Sequence, residues 1–328
     1  MRMRPRIYIT QPVAASAIER LRTVADVDLN PDTLHKVTKD ELLAKVPRLD
    51  ILFCLLHDKV DRDIIAAGKG LRAIASMKIT PSDIDVAEAT ARRIPVTVIA
   101  PIVTEATADI HFALLLAVAR RVVEGDQLLR SGVFPGAQSA HLLGAGVHGK
   151  TIGLIGGGGR IGRAVAKRAQ GFSMRTLYWT PRRKPEAEER AAGLEYVPYD
   201  QLLSQSDFVS VHAPLNAETR HLVGERELRL MKPTAFLVNS SRGPVVDEKA
   251  LVRALLERRI AGAGLDVYEN EPQVEPELIK MKNVVLTPHL GSAVTELRES
   301  MANVVADNIL AVLEGRQPPN CWNPEIYK

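Results

Sequence analysis

The amino-acid sequence predicts an α/β fold, with two Rossmann-like or flavodoxin-like domains built on parallel sheets. Short β-like runs alternate with helix-like stretches along the chain, which is the pattern of α/β proteins with a parallel sheet. The alternation restarts near residue 150 with a glycine-rich turn. The length of 328 residues also suggests about two domains, at roughly 150 residues each.

The first hundred residues show this pattern on a small scale. Residues 50–56 (DILFCLL) are a near-continuous apolar run, as expected of a strand that is covered on both faces. The expected strands are Arg6–Thr10, Asp50–Leu56, Leu71–Ser76 and Val96–Val98, and the expected helices are Ala14–Thr23 and Ile84–Arg92.

A long apolar helix is predicted next, from Glu105 to Leu129, with Thr104 as its N-cap. Its middle, Phe112–Ala119, is apolar nearly all round, which is typical of a helix buried between subunits or domains. Residues 131–148 are rich in glycine and alanine and are expected to form a connecting loop.

The second run of alternating elements begins at Lys150. Its last helix is expected to stop at Gly315, because Pro318 and Pro319 follow. The expected strands are Thr151–Ile155, Arg175–Trp179, Asp207–His212, Ala235–Asn239, Gly262–Asp266 and Val284–Thr287, and the helices include Arg160–Gln170, Tyr199–Ser204 and Ser292–Glu314.

Composition excludes several classes of protein. The chain is 46% hydrophobic and 25% charged, as in ordinary globular proteins. Its net charge of +4 is scattered and only 4% of its residues are aromatic, which argues against a nucleic-acid surface. No apolar run reaches the ~18 residues of a membrane helix, and from the basic start, which runs straight into Ile7-Tyr8-Ile9, we expect no secretory signal. Cys54 and Cys321 stand in no metal spacing, so we expect a cytoplasmic chain without a metal site.

The most informative local motif is a glycine-rich turn between a predicted strand and a predicted helix. Gly157, Gly159 and Gly162 fit the pattern G-x-G-x-x-G, and the helix opens with Arg160 and Ile161. The first glycine makes the tight turn, the second lets the backbone approach a pyrophosphate, and the third lets helix and strand pack closely. The helix N-terminus then offers N–H groups to the phosphates. The sequence therefore predicts a dinucleotide site, with one extra glycine ahead of the motif.

The end of the next strand indicates which dinucleotide is bound. An NAD site usually has Asp or Glu about 20 residues after the glycines, where it binds the ribose 2′-hydroxyl. Here that position is Thr180, and Arg182, Arg183 and Lys184 follow it. Because arginine binds phosphate and a carboxylate would repel it, we expect NADP(H) to be preferred, with NAD(H) possible. A solvated basic loop is the alternative interpretation.

Three segments at later strand ends carry residues capable of chemistry. They are residues 238–247 with Arg242, residues 262–272 with Glu271, and residues 285–292 with His289. Ligands of open α/β sheets bind at such carboxyl ends. Taken singly, each residue has another reading: a surface arginine, a glutamate in a solvated turn, or a core histidine.

Taken together, these motifs resemble the D-isomer-specific 2-hydroxyacid dehydrogenases, in the style of the glyoxylate/hydroxypyruvate reductases. The resemblance covers nearly the whole chain and includes the glycine turn, residues 211–215 (VHAPL), the three segments above and the helix start at 104–109. It implies Arg242, Glu271 and His289 as the catalytic groups. It also implies that further residues line the cofactor site: His212, Pro214, Thr219, Ser240, Asp266 and Gly291.

The chemistry of keto-acid reduction explains these three residue types. Arg242 is always charged, so it would hold the substrate carboxylate and polarise the carbonyl. His289 would donate the proton near neutral pH. Glu271, if hydrogen-bonded to His289, would orient the imidazole ring and favour its protonated form.

The same resemblance implies the domain organisation. It assigns residues 1–100 and 290–328 to a substrate domain and residues 101–289 to a dinucleotide-binding Rossmann domain, with the reaction in the cleft between them. It also implies a homodimer formed through the cofactor domain, with the 105–129 helix as an interface element.

One loop departs from the family's pattern. Relatives have a segment of the form Val-Gly-Tyr-Asp-Asn-Ile-Asp whose backbone N–H groups bind the substrate carboxylate. In this chain Thr80 replaces the glycine and Pro81 follows it, which disfavours the same loop conformation. Lys78, Ile79 and Thr80 are the candidate substrate-binding residues here, although Lys78 also fits a snorkelling surface lysine.

The sequence thus predicts an NADPH-dependent reductase that converts a small 2-keto acid, glyoxylate or hydroxypyruvate, into the D-2-hydroxy acid. Three alternatives stay open: a 2-ketogluconate-type reductase, a phosphite dehydrogenase, and a non-catalytic dinucleotide sensor. The expected partners are the small acid and a second copy of the chain, with no nucleic acid and no membrane.

Overall fold

The computed structural model of the protein describes residues 4–55 and 57–328. They form two compact units. The first consists of the described residues up to Ile102 together with Ala293–Lys328, and the second is Val103–Ser292.

The first unit contains a parallel sheet of five strands in the order β2-β1-β3-β4-β5, which is the flavodoxin-like order. The strands are β1 (Arg6–Ile9), β2 (Asp26–Leu29), β3 (Ile51–Cys54), β4 (Ala73–Ser76) and β5 (Val96–Thr97). The helices between them are α1 (Ala15–Arg22), α2 (Lys39–Lys45), α3 (Arg62–Ala67) and α4 (Val86–Ala91), and Val46–Arg48 is a 3₁₀ turn.

Two differences from the sequence prediction concern this sheet. Strand β2 was not predicted, because it is an edge strand that alternates exposed and half-buried residues and carries two aspartates. Strand β3 ends at Cys54, and Leu56, the last residue of the predicted run, lies outside the described residues.

The second unit contains a parallel sheet of seven strands in the order β12-β11-β10-β9-β6-β7-β8. This is the doubly wound Rossmann order with one added edge strand, and the strand order reverses between β6 and β9. The strands are β6 (Thr151–Ile155), β7 (Arg175–Trp179), β8 (Glu195–Tyr196), β9 (Phe208–Val211), β10 (Phe236–Asn239), β11 (Gly262–Leu265) and β12 (Val284–Leu286).

Helices cover both faces of this sheet, where buried apolar side chains form two clusters. They are α5 (Thr104–Ala119), α6 (Val122–Arg130), α7 (Arg160–Gly171), α8 (Glu186–Ala192), α9 (Tyr199–Gln205), α10 (Glu225–Leu230), α11 (Glu248–Leu256) and α12 (Pro276–Lys280), with a 3₁₀ turn at Gly243–Val245. The chain then returns to the first unit, where α13 (Thr295–Leu313) packs on β4 and a last 3₁₀ turn spans Pro324–Tyr327.

The predicted helix over 105–129 is wrong in its continuity. The structure has α5 and α6, separated at Arg120 and Arg121, and Arg121 takes a positive φ of 53°. Thr104 is the first helical residue and not the cap, which is Val103. The apolar middle of α5 packs against α7, β10 and β11, so it is buried within its own unit.

The other elements with predicted bounds agree with the structure to within three residues at each end, and strand β8 was not predicted. None of the helices in the described residues has the length and apolar content needed to cross a membrane. Within the same residues, no cluster of histidine, cysteine and carboxylate side chains is suited to a metal ion.

Candidate active site

The candidate residues of the second unit all follow carboxyl ends of strands in one parallel sheet. Because parallel strands end at the same edge, these residues share the edge at which such sheets bind ligands. The segments, in spatial order, are 287–291 after β12, 266–271 after β11, 240–242 after β10, 212–214 after β9, 156–162 after β6 and 180–184 after β7.

The glycine turn begins one residue earlier than expected. Gly156 has φ +82°, and a Cβ there would lie 2.8 Å from the carbonyl carbon of His212. Gly156 therefore makes the tight turn that was assigned to Gly157, which corrects that assignment. Gly157 is excluded from bearing a side chain for another reason, since its Cβ would lie 2.6 Å from Cβ of Leu154.

The third glycine has the predicted packing role. A Cβ on Gly162 would lie 2.6 Å from Cα of Gly157, so the helix packs directly on the turn. Helix α7 starts with Arg160 and Ile161, and no side chain caps it at Gly159. Its first-turn N–H groups are thus left for an anion at the helix N-terminus.

The three cations after β7, Arg182, Arg183 and Lys184, differ in their contacts. Arg183 makes two 2.8 Å hydrogen bonds to the carboxylate of Glu189, which also accepts one from the Tyr178 hydroxyl (2.6 Å). Glu189 is only 4% exposed. The bonds from Arg183 and then Tyr178 lower the pKa of Glu189 to about 2. Arg183 is therefore engaged by the protein itself.

Lys184 lies next to the glycine turn. A Cβ on Gly158 would lie 2.9 Å from Cε of Lys184, so the lysine stem covers this glycine. Its backbone N–H donates to the Tyr178 hydroxyl (2.9 Å). In the described part of the chain, no carboxylate pairs with Lys184 or Arg182, while the Thr180 hydroxyl donates to the Arg182 carbonyl (2.8 Å). The unpaired cations at this strand end are therefore Arg182 and Lys184.

Two histidines and two serines form a hydrogen-bonded network in which His212 is half-buried and the other three residues are buried. His111 of α5 contacts Ser240 through Nδ1 (2.8 Å) and Ser210 through Nε2, and Ser210 also contacts His212 (3.2 Å). Burial lowers the pKa of His212 to about 3 and lowers that of His111 strongly. Both rings are therefore neutral at physiological pH. Nδ1 of His212 is buried with no hydrogen-bond partner within the described residues.

The segment after β9 is held by its own residues. The Thr219 hydroxyl donates to the carbonyl of Pro214 (2.5 Å) and the backbone N–H of Asn216 donates to that hydroxyl (2.9 Å). Thr219 thus shapes the loop that follows His212.

Arg242 is presented by a short loop that Asn239 organises. Asn239 is 1% exposed, accepts from the N–H of Ser241 (3.0 Å) and donates to the carbonyl of Arg242 (3.1 Å). The Arg242 guanidinium is exposed and donates to the Ser241 carbonyl (2.7 Å). No described carboxylate forms an ion pair with it. Arg242 is thus a cation at the sheet edge whose charge is available to an anionic ligand.

Asp266 organises the loop of residues 287–291, which carries His289 and is called the histidine loop below. It is fully buried and accepts hydrogen bonds from the Thr287 hydroxyl (2.6 Å) and from the N–H groups of Leu290 (2.7 Å) and Gly291 (2.9 Å). Burial raises the pKa of Asp266. In the loop that these hydrogen bonds hold, His289 takes a positive φ of 56°, which is unusual for a residue other than glycine.

The predicted pairing of Glu271 with His289 is present in the structure. Oε2 of Glu271 lies 2.9 Å from Nδ1 of His289, and Oε1 accepts from the N–H of Tyr268 (3.0 Å). A carboxylate at Nδ1 fixes the orientation of the imidazole ring.

In the candidate loop of the first unit, Lys78 is not the exposed surface lysine that the sequence left as an alternative. Its ammonium forms an ion pair with Asp83 and its side chain is 13% exposed, so it is not a snorkelling surface lysine. Its carbonyl accepts from the N–H of Ile99 (2.9 Å). Ile79 is half-buried and Thr80 is exposed, and Thr80 does not have a positive φ.

Several residues that shape the site were not predicted from the sequence. They are His111, Asn239, Glu189 and Glu248, all of which are buried. His111 and Glu248 act through contacts with residues distant in sequence, whereas Asn239 contacts near neighbours in the chain. The only local signal in the sequence is a polar residue in an apolar stretch, as at His111.

Comparison with known proteins gives consistent results. Residues 112–291 match the D-isomer specific 2-hydroxyacid dehydrogenase, NAD binding domain family. The chain is 48% identical to a glyoxylate reductase of Thermococcus litoralis, over 99% of this chain and 98% of that protein.

Two solved structures are similar throughout. The first is a glyoxylate reductase from Paecilomyes thermophila, with a TM-score of 0.82, 32% identity and coverage of 99% of this chain and 100% of that one. The second is an NADPH-dependent glyoxylate/hydroxypyruvate reductase from Sinorhizobium meliloti, solved with NADP and malonate. It has a TM-score of 0.77, 31% identity and coverage of 97% and 96%.

Proposed function

The chain belongs to the D-isomer-specific 2-hydroxyacid dehydrogenases, NAD(P)-dependent oxidoreductases, and we propose that it reduces glyoxylate or hydroxypyruvate with NADPH to the D-2-hydroxy acid. The relatives named above as glyoxylate reductases support the small substrate. We propose a cytoplasmic location, because the two cysteines of the protein, Cys54 and Cys321, form no disulfide, which suits a reducing compartment.

The second unit fits a nicotinamide dinucleotide. Its glycine turn is packed too tightly for a side chain at Gly156, Gly157 or Gly162. No side chain caps the start of α7, so the first-turn N–H groups of this helix are left for a pyrophosphate. The buried Nδ1 of His212, with no partner within the described residues, is a polar atom that a cofactor group would satisfy. Ser240 and Asp266 lie at the ends of the neighbouring strands β10 and β11.

The cofactor supplies the hydride when bound. Arg242 would bind the substrate carboxylate and withdraw electron density from the carbonyl oxygen. Because Nδ1 of His289 is engaged by Glu271, proton transfer to that oxygen would run through Nε2. Glu271 would stabilise the imidazolium before transfer, and in the oxidation direction His289 would take the proton back.

The observation that carries this proposal is the 2.9 Å contact between Glu271 and His289 on the same sheet edge as the unpaired Arg242. The test follows NADPH and NADH oxidation by absorbance with glyoxylate, hydroxypyruvate, pyruvate and 2-ketogluconate, and NAD(P)⁺ reduction with phosphite. We expect fast NADPH-linked reduction of glyoxylate or hydroxypyruvate. Preferred turnover of 2-ketogluconate or phosphite would make that compound the substrate in place of glyoxylate or hydroxypyruvate. If none of the compounds is turned over, the protein would be a dinucleotide sensor.

A substitution of Arg242 tests the site directly. R242A should lower kcat/KM for the keto acid by about a hundredfold or more, because it removes the group that stabilises the developing charge. NADPH binding, measured by fluorescence, should stay within about twofold. R259A is the control, since Arg259 is a half-exposed arginine paired with Glu257. Normal turnover in R242A would remove Arg242 from the mechanism.

We propose that Arg182 and Lys184, more than Arg183, produce the preference for NADPH. Both are unpaired among the described residues, whereas Arg183 is held by Glu189. K184M and R182M should raise KM for NADPH by about tenfold and leave KM for NADH within about twofold, because only NADPH carries the 2′-phosphate. Equal effects on both cofactors would contradict the proposal.

We propose that the loop of Lys78, Ile79 and Thr80 in the first unit also binds the substrate carboxylate, through the backbone N–H groups of Ile79 and Thr80. The Lys78 N–H donates to the Ser76 hydroxyl (3.3 Å), and its ammonium is not the binding group. The ion pair with Asp83 already neutralises that charge. K78M should therefore leave KM for glyoxylate within about threefold. A larger rise, of about tenfold or more, would show that the ammonium itself contacts the substrate.

We propose a homodimer formed through the second unit. Helix α6 has no buried residue, and large apolar side chains around it are exposed. An apolar surface of this kind on a monomer marks an interaction site. Its members are Val122, Val123, Leu129, Val133, Phe134 and Leu143. Analytical ultracentrifugation should show a dimer for the wild type and a monomer for F134D; a wild-type monomer would refute the proposal.

A further inference from the structure

The segment that carries Glu271 is tied at both ends to one buried carboxylate. Glu248 is the first residue of α11 and is only 7% exposed. Its Oε2 accepts a hydrogen bond from the backbone N–H of Glu269 (2.7 Å). Its Oε1 accepts one from the backbone N–H of Glu275 (3.0 Å). Glu271 lies between these two attachment points, so Glu248 sets both ends of the loop that presents it.

The attachment is reciprocal at one end. Oε2 of Glu269 accepts from the backbone N–H of Glu248 (3.3 Å), and its Oε1 contacts Arg220 (2.9 Å) and His221 (2.7 Å). The charge of Glu269 is thus offset by basic side chains. No basic side chain in the described residues forms an ion pair with Glu248.

A buried carboxylate without a cation is costly unless its oxygens accept hydrogen bonds. Among the described residues, Glu248 meets this requirement through the two N–H groups at the ends of the loop. Its contacts therefore hold the loop in one position. The same loop places Glu271 between the Tyr268 N–H and the ring of His289, at 3.0 and 2.9 Å.

We propose that Glu248 is a positioning residue for the reaction, which acts by fixing the loop that holds Glu271 against His289. The inference rests on the proposed function, because it assigns Glu248 a role in the Glu271–His289 pair. Glu248 does not touch the reacting atoms in this account. Its two acceptor oxygens keep the carboxylate of Glu271 in line with Nδ1 of His289.

The substitution E248Q separates this role from simple folding support. Glutamine has nearly the same shape, but it offers one acceptor oxygen and turns an NH₂ donor toward the second backbone N–H. One end of the loop is thereby released. We expect kcat for glyoxylate reduction to fall about tenfold to a hundredfold, since small misplacements of catalytic groups have effects of that size. KM for glyoxylate and Kd for NADPH should stay within about twofold.

The experiment includes two further variants and a control. E248D keeps the charge but shortens the side chain, and it should lower kcat in the same way. E257Q is the matched control, because Glu257 follows the same helix, is half-exposed and pairs only with Arg259 among the described residues. E271Q is measured in parallel, with melting temperatures for all variants.

The outcomes distinguish the two levels of the proposal. If E271Q keeps wild-type kcat, the proposed function of the Glu271–His289 pair is wrong. If E271Q loses kcat but E248Q and E248D keep it, only the role of Glu248 is refuted. A parallel loss of kcat, NADPH binding and folded protein in E248Q and E248D would show a structural role and overturn the inference as well.

Discussion

Lowering the pH from 7 to 5 should destabilise the second unit, because two histidines there, the buried His111 and the half-buried His212, resist protonation while the chain is folded. His111 and His212 share the hydrogen-bond partner Ser210, and the centroids of their rings lie 4.6 Å apart. Burial lowers the pKa of His212 to about 3, and burial together with the neighbouring His212 lowers that of His111 well below its usual value.

The sign and size follow from proton linkage. An unfolded histidine titrates near ~6.5, so below that pH the unfolded chain binds a proton that folded His212 refuses. The contribution of His212 to the free energy of unfolding is fully present above pH ~6.5 and declines as the pH falls toward 3. At ~1.4 kcal/mol per pH unit, His212 alone removes about 2 kcal/mol of unfolding free energy by pH 5. For a unit of this size that corresponds to a melting temperature lower by roughly 4–8 °C.

The assay is denaturant unfolding at pH steps from 7 to 5, comparing the wild type with H212Q. Glutamine can still meet Ser210 but has no proton to gain, so its unfolding free energy should fall by about 2 kcal/mol less over this range. H141Q is the control, because His141 is exposed. Identical pH dependence in wild type and H212Q would refute the claim that His212 is held neutral by burial.

Three further predictions concern positions where backbone or carboxylate geometry shapes the site. G162A should weaken NADPH binding at least tenfold by fluorescence, because its Cβ would lie 2.6 Å from the backbone of Gly157; unchanged binding would contradict the tight packing. G243A should lower kcat more than a hundredfold, since a Cβ there would lie 1.8 Å from the carbonyl oxygen of Tyr268 and must move the loop beside Arg242; kcat near wild type would show that this loop tolerates displacement. D266N should lower kcat about tenfold or more, because an amide offers one acceptor oxygen where the carboxylate accepts three hydrogen bonds from the histidine loop. For D266N, an unchanged kcat would show that the loop keeps its geometry without the second oxygen.

Local patterns were sufficient for the fold class and for the placement of most strands. Apolar runs such as Ile51–Cys54 are buried on both faces in a parallel sheet, and that burial requires an apolar sequence. The edge strand Asp26–Leu29 was missed because a strand with one exposed side does not need such a run. The break after Ala119 was missed for a related reason, since a positive φ at Arg121 leaves no mark on apolar periodicity.

The glycine turn shows where sequence reasoning stops short within a motif. The pattern G-x-G-x-x-G located the turn and the helix, but it placed the tight turn at Gly157. Which glycine adopts a positive φ depends on what lies opposite, and here the backbone of His212, which follows the neighbouring strand β9, leaves no room for a Cβ at Gly156.

What the sequence by itself determined is the set of chemical groups and the strands that carry them, because both follow from residue type and local spacing. It identified Arg242, Glu271 and His289 as candidates, and strand order then places them at one sheet edge. Only the tertiary structure decided which charges are available: Arg183 is held by Glu189, and Arg242 has no ion-pair partner in the described chain. An ion pair depends on how side chains meet in three dimensions, even for residues as close in sequence as Arg183 and Glu189, and composition and spacing do not encode those distances.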